Sequence, residues 1–212
     1  MKMKEGIEII ANSKLLTKAF KHITDKSTSN NAPYHNLNHL LTVLKYANYL
    51  ADEIGVNYNK KEELLLAALF HDVDHSEGKL KDNINIENAI SQLYNFATRF
   101  NLSVEFVFNV ALIIKATEYP YTIEDDNLNM LQEIIRDADM MQLFEPNWIQ
   151  QNIIGLGKEL GFTYQEFIPK QKQFMENLKF ITTPAAQFAI IRLPDLIAQI
   201  NFLESTLGPA QE

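Results

Sequence analysis

Tyr34-His35-Asn36-Leu37-Asn38-His39 and His71-Asp72-Val73-Asp74-His75 open and close the stretch around which the rest of the chain is arranged. Four of the five histidines lie there, in two pairs, each pair spaced four residues apart. On a helix that spacing puts both rings on one face, about one turn apart. Two imidazole pairs with an aspartate beside one of them make a set of borderline ligands suited to a divalent transition metal. The expectation is a metal centre held between helices.

Working outward, Leu37, Leu40, Leu41, Leu44 and Ala47 mark an amphipathic stripe that ends near Gly55. Pro33 leads into that helix, Asn36 is placed to cap it, and its first turn is expected to carry His35. After the charged turn 60–63, Leu64 to Phe70 runs almost unbroken in apolar residues, with Ala67 and Ala68 inside it and no β-branched residue. That run reads as a buried helix. His71 and Asp72 then stand at its end, an expensive place for polar groups unless something satisfies them. Upstream, residues 5–24 form one periodic segment. Downstream, 86–100 and 104–117 read as helices, and 120–127 as a turn.

Leu128, Leu131, Ile135, Asp139 and Leu143 fall on one line of a further helix. Asp139 therefore points into the core, where an unpaired carboxylate is costly. Asp137, in Arg136-Asp137-Ala138-Asp139-Met140, falls off that line and reads as a solvated or capping acid. Residues 148–160, 164–181 and 184–207 complete the helices, with Gly155, Gly157 and Gly161 loosening the middle and Pro169 and Pro194 starting or kinking helices. No strand alternation or repeat is present. The expected fold class is all-α, a single helical domain over 1–212.

A chain of 212 residues that is 46% hydrophobic supports a large core without disulfides. The absence of cysteine excludes thiolate metal sites and cysteine nucleophiles. A net charge of −8 argues against binding a nucleic acid polymer or an anionic membrane. The charged N-terminus and the lack of a long apolar run make the cytoplasm the expected location. His22, with no partner nearby in sequence, reads as an ordinary histidine hydrogen-bonded to a carbonyl.

The order His39, His71-Asp72 and a distant Asp139 resembles the HD-domain superfamily of metal-dependent phosphohydrolases. The two fuller strings resemble the catalytic signature of cyclic-nucleotide phosphodiesterases. This resemblance spans about residues 30–145 and implies a helical bundle of the HD type; the last third of the chain matches no known pattern, and its helices, 146–212, are expected to complete the pocket. It implies that His39, His71, Asp72 and Asp139 ligate a divalent ion (Mn, Fe, Zn, Ni, Co or Mg), and that Asp72 can bridge to a second Mg²⁺. It implies further that His35 protonates the leaving oxygen and that His75 lines the pocket. Glu87, placed where many bacterial HD proteins carry an Asn-Glu-rich segment, is expected to orient His35 or a water. Asn36, Lys79, Lys81 and Arg192 are candidate substrate contacts. The chain departs from the pattern in three places. No histidine follows His75, which speaks against a second fully protein-ligated metal and against the oxygenase branch. Glu118, in Lys115-Ala116-Thr117-Glu118, stands where relatives often carry a histidine. No purine-binding glutamine with an aromatic clamp is evident.

An ion held by imidazoles and carboxylates lowers the pKa of water from about 15.7 toward about 7. The expected function is thus a metal-dependent phosphohydrolase acting on a phosphomonoester or phosphodiester of a nucleotide-like small molecule. The alternatives are a non-hydrolytic metal- and nucleotide-binding HD sensor or docking module, and a helical interaction protein without metal.

Overall fold

Asn36 sets the start of the central helix. Its side-chain oxygen accepts the N–H groups of Asn38 and His39, and its amide reaches back to the Ala32 carbonyl at 2.8 Å. The helix runs Leu37–Ile54 and stops at Gly55, whose φ of +80° closes it in the left-handed conformation open to glycine. The structure, a computed structural model, describes residues 2–207. In chain order the helices are α1 (Lys2–Ala11), α2 (Lys14–Lys26), α3 (Leu37–Ile54), α4 (Tyr58–Phe70), α5 (Asp82–Phe100), α6 (Val104–Lys115), α7 (Met130–Met140), α8 (Gly157–Glu159), α9 (Tyr164–Asn177) and α10 (Thr183–Leu207). A 3₁₀ turn, Met141–Phe144, follows α7, and a π-helical stretch, Ile149–Leu156, runs directly into α8. No strand occurs among the described residues. The fold is all-α, as the sequence predicts.

Helix α3 packs on α4 and α7 along its inner face and on α1 and α10 beyond them. Its buried residues include Leu40, Leu41, Leu44 and Ala47 of the stripe seen in the sequence, with Val43, Tyr46, Leu50 and Ala51 added and Leu37 only half-buried. Every residue of α4 from Glu63 to Phe70 is buried, so this helix is enclosed on all sides rather than amphipathic. Arg136 fastens α7 to the preceding crossover. Its guanidinium donates to the carbonyls of Ala116 (2.7 Å) and Ile123 (2.8 Å) and to Asp125 (3.0 Å), and lies 3.9 Å above the Tyr121 ring.

Several expectations need correction. The segment 5–24 is two helices, because Ser13 caps a new one by accepting the Leu16 N–H. His35 lies before the cap of α3 rather than in its first turn, and His75 lies beyond the end of α4. Neither histidine pair therefore shares a helical face. Of the two places expected for Pro169 and Pro194, both take the one inside a helix and neither starts one. Gly155 does not loosen its segment: a Cβ there would stand 2.5 Å from the Pro33 carbonyl oxygen, so glycine permits two backbones to touch.

Candidate metal centre

His39 projects from the first turn of α3, His71 ends α4, Asp72 comes directly after it, and Asp139 comes from the last turn of α7. The mutual packing of these three helices brings the four side chains to one point. The Nε2 atoms of His39 and His71 are 3.1 Å apart. Asp72 Oδ2 lies 2.9 Å from the first and 3.1 Å from the second. Asp139 Oδ1 lies 3.3 Å and 3.8 Å from the same two atoms. Ligand atoms sharing one ion at about 2.0–2.2 Å stand roughly 3.0–3.6 Å apart; His39, His71 and Asp72 come close to that spacing, while Asp139, 3.3 and 3.8 Å from the two rings, stands beside them.

The surrounding bonds turn the lone pairs inward. His71 Nδ1–H donates to the Ala68 carbonyl at 3.0 Å, and His39 Nδ1–H donates to Gln142 Oε1 from the turn after α7. Both rings thus present Nε2 to the centre, the usual device for orienting a ligating imidazole. The two histidines are buried almost completely, while the side chains of Asp72 and Asp139 keep 12% and 18% of their exposure, so the centre opens on the carboxylate side. Burial alone would push His39 down, but Asp139 and Asp72 outweigh it and hold this ring up at about 9. The same acids raise His71 against its burial, and the two rings in turn hold both carboxyls well below their usual range. A field that favours positive charge this strongly at a buried point suits a divalent cation, and the donor set fits one.

At the rim, His35 Nε2 lies 3.9 Å from Asp72 Oδ2. Its Nδ1 is 2.5 Å from Glu159 Oε2, and Glu159 Oε1 accepts the backbone N–H groups of Tyr34 (2.6 Å) and His35 (2.9 Å). Burial would raise the Glu159 carboxyl, yet these three donors hold it below its ordinary value. The His75 ring stacks on His35 with centroids 3.5 Å apart. His75 accepts the Glu77 N–H at Nδ1 and meets Asn85 at Nε2, and burial followed by the His35 charge pushes it down to about 4.

Other candidates fall elsewhere. Glu87 is exposed on α5, and Glu159 holds the place beside His35 that the sequence reading assigned to it. Asn36 is a helix cap. Lys79 and Lys81 are exposed in the loop before α5, Lys79 4.0 Å from Glu77. Arg192 is exposed on α10, in the electrostatic field of Tyr46. Lys115 pairs with Glu118. Asp137 is buried rather than solvated: it accepts the N–H groups of Ile181 (3.0 Å) and Thr182 (2.7 Å) and the Thr182 hydroxyl (2.7 Å). Glu159 and Gln142 were missed by the sequence reading. The signal for Glu159 was an acid set in an apolar, glycine-rich run, Ile153 to Gly161; Gln142 carried none.

An all-helical bundle in which His39, His71 and Asp72 could together hold an ion, with Asp139 beside them and a histidine at the rim, has the architecture of an HD-type protein. The HD domain family model matches residues 36–142, about half of the chain, and the chain belongs to that family. No curated protein matches it. Among solved structures it is similar to a predicted HD superfamily hydrolase from an uncultured Thermotogales bacterium (15% identity, TM-score 0.62, covering 95% of this chain and 98% of that one). It is also similar to Bacillus subtilis YpgQ, solved in complex with ADP (19% identity, TM-score 0.61, covering 89% and 97%). These likenesses extend the shared fold beyond the family core into the C-terminal helices.

Proposed function

We propose that the protein is a metal-dependent phosphohydrolase that cleaves a phosphomonoester or phosphodiester of a nucleotide-like small molecule. The observation that carries the reading is His35 Nε2 at the rim of the His39–His71–Asp72–Asp139 centre, 3.9 Å from Asp72. A divalent ion held there supplies Lewis acidity, lowering the pKa of water and offsetting charge on the phosphoryl oxygens. The chain's own groups do the rest. His39 and His71 are held with Nε2 inward, Asp72 and Asp139 complete the donor set, and the partly open carboxylate side admits the ester. Water attacks phosphorus, the bond to the leaving oxygen breaks, and that oxygen takes the proton from His35 Nε2. The ADP bound to YpgQ supports a nucleotide-like substrate.

The test is hydrolysis of nucleoside mono-, di- and triphosphates and cyclic nucleotides with several divalent metals, before and after His35→Ala. Loss of a general acid lowers turnover by about 10²- to 10⁴-fold while metal content stays unchanged. Metal bound stoichiometrically, with wild type and variant equally inert across the panel, would replace this reading with a binding module.

A further inference from the structure

Glu159 lies outside the region that defines the family, yet its side chain is fully buried against the histidine at the rim. We propose that Glu159 is the positioning residue for His35: it fixes the ring through Nδ1–H, so that Nε2 alone faces the leaving oxygen. The inference rests on reading His35 as the proton donor. It assigns a role in the reaction to the C-terminal third of the chain.

Three observations carry it. First, a buried carboxylate is costly unless its oxygens are satisfied, and all three hydrogen-bonding donors of Glu159 belong to residues 34 and 35. One oxygen holds the backbone of His35 and the other holds its ring, so the carboxylate sets both the position and the rotation of the imidazole. Second, the remaining faces of the ring are walled. His75 stacks on one side at 3.5 Å, and the Tyr34 ring meets it edge-on at 4.7 Å. The atom left free is Nε2, turned toward Asp72. Third, delivery of Glu159 is built into the backbone. The π-helical stretch Ile149–Leu156 presses Gly155 against the Pro33 carbonyl, where no Cβ fits, and sets α8 beside residues 34–35. Wide helical turns of this kind recur at functional sites.

His35, His75 and Glu159 are also close enough together to suggest a second cation site. The 2.5 Å separation of His35 Nδ1 and Glu159 Oε2 argues otherwise. Two donors on one ion with bonds of about 2.0–2.2 Å stand roughly 3 Å or more apart. The contact is a hydrogen bond, and a charge-assisted one.

The decisive measurement is the ring-nitrogen spectrum of His35 in metal-free, ¹⁵N-histidine-labelled protein, assigned by its disappearance in His35→Asn. Wild type is expected to keep a far-downfield proton on Nδ1 in both the neutral ring and the imidazolium, the latter being the form whose Nε2–H is donated. In Glu159→Gln the two backbone N–H groups still require an oxygen, so the amide nitrogen faces the ring and donates to Nδ1; the neutral ring then carries its proton on Nε2, and the imidazolium that donates to the leaving oxygen loses its carboxylate partner. An unchanged tautomer in Glu159→Gln, or no downfield ring proton in wild type, overturns the proposal; the second result needs no variant to fold. A kinetic arm separates positioning from mere structural support. With AMP, whose alkoxide leaving group needs a proton, Glu159→Gln is expected to lose about 10²-fold in kcat, but less than about 5-fold with 4-nitrophenyl phosphate. Equal losses on the two substrates would make Glu159 a structural staple. Wild type inert toward both would sink the hydrolase reading and leave the spectrum to decide the role of Glu159.

Discussion

Asp137 and Asp139 stand two residues apart on one helix and serve different ends. Asp139 faces His39 and His71; Asp137 faces Thr182 and Ile181, 45 and 44 residues away in sequence. Helical periodicity put Asp139 on the line through Leu131 and Ile135, and that acid does face His39 and His71, but the more deeply buried acid of the two is Asp137, which that line had left to solvent. It could not find the partners of Asp137, because nothing local announces a loop that arrives from beyond α9. Asp139→Ala is accordingly expected to release the metal. Asp137→Ala is expected to keep it while destabilising the fold by about 2–4 kcal/mol, because a charged acceptor is lost and buried donors are left open. Metal analysis and denaturant midpoints on both variants check this; metal loss from Asp137→Ala would reject the division. His22 is the other residue whose environment the sequence hid. It is buried between Phe70 and Phe96, and neither ring nitrogen has a hydrogen-bonding partner among the described residues. Burial lowers its pKa below 6.5. The unfolded chain then binds the proton more readily, so stability is full above about pH 6.5 and is lost as pH falls toward the folded value. His75, pushed down to about 4, acts in the same window. The difference between wild type and His22→Leu is therefore the quantity to measure. Urea midpoints at pH 7.5 and pH 5 are expected to fall more for wild type, and parallel falls would clear His22.

At the scale of elements, the i, i+4 histidine spacing pointed to the right chemistry through the wrong geometry. The pairs are placed by helix ends. Asn36 stops α3 just short of His35, and α4 ends at His71, leaving His35 and His75 in loops where their rings stack. A spacing rule sees residues along one helix, whereas this site is made by the ends of three and by the chain that leaves them. Arg136 shows how firmly such ends are fixed. Its planar fork spans two carbonyls and a carboxylate on the crossover between α6 and α7, a pattern the single ammonium of lysine cannot reproduce. Arg136→Lys is expected to cost about 2–3 kcal/mol by leaving buried carbonyls unpaired. Because α7 carries Asp139, the same change is expected to weaken metal binding without touching a ligand. Calorimetric titration with Mn²⁺ beside a denaturant curve tests both effects, and unchanged affinity in a destabilised variant would uncouple the crossover from the centre.

For the molecule as a whole, the bundle was legible from periodic burial, whereas the convergence of His39, His71, Asp72 and Asp139 was expected from the resemblance to the HD pattern. Which residue of the C-terminal third closes the site was not legible, since contacts such as Glu159 with His35 span 124 residues and have no local pattern. One consequence concerns the whole fold. His39, His71–Asp72 and Asp139 anchor α3, α4 and α7, the helices whose mutual packing forms the centre of the core. A metal bound to all four ties those helices together only in the folded state, so it stabilises folding by mass action. With free metal at 100 times its Kd the gain is about 2.7 kcal/mol. For a chain of about 150–250 residues each kcal/mol moves Tm by about 2–4 °C, so loading is expected to raise it by roughly 5–10 °C. Chelation should reverse the rise as one cooperative shift of the whole transition, because the anchored helices carry the core. Asp139→Ala, lacking one donor, should melt at nearly the same temperature with and without metal. Scanning calorimetry of both proteins, with EDTA and then with excess Mn²⁺, decides the matter: equal shifts in the two would mean that the ion binds somewhere other than between these three helices.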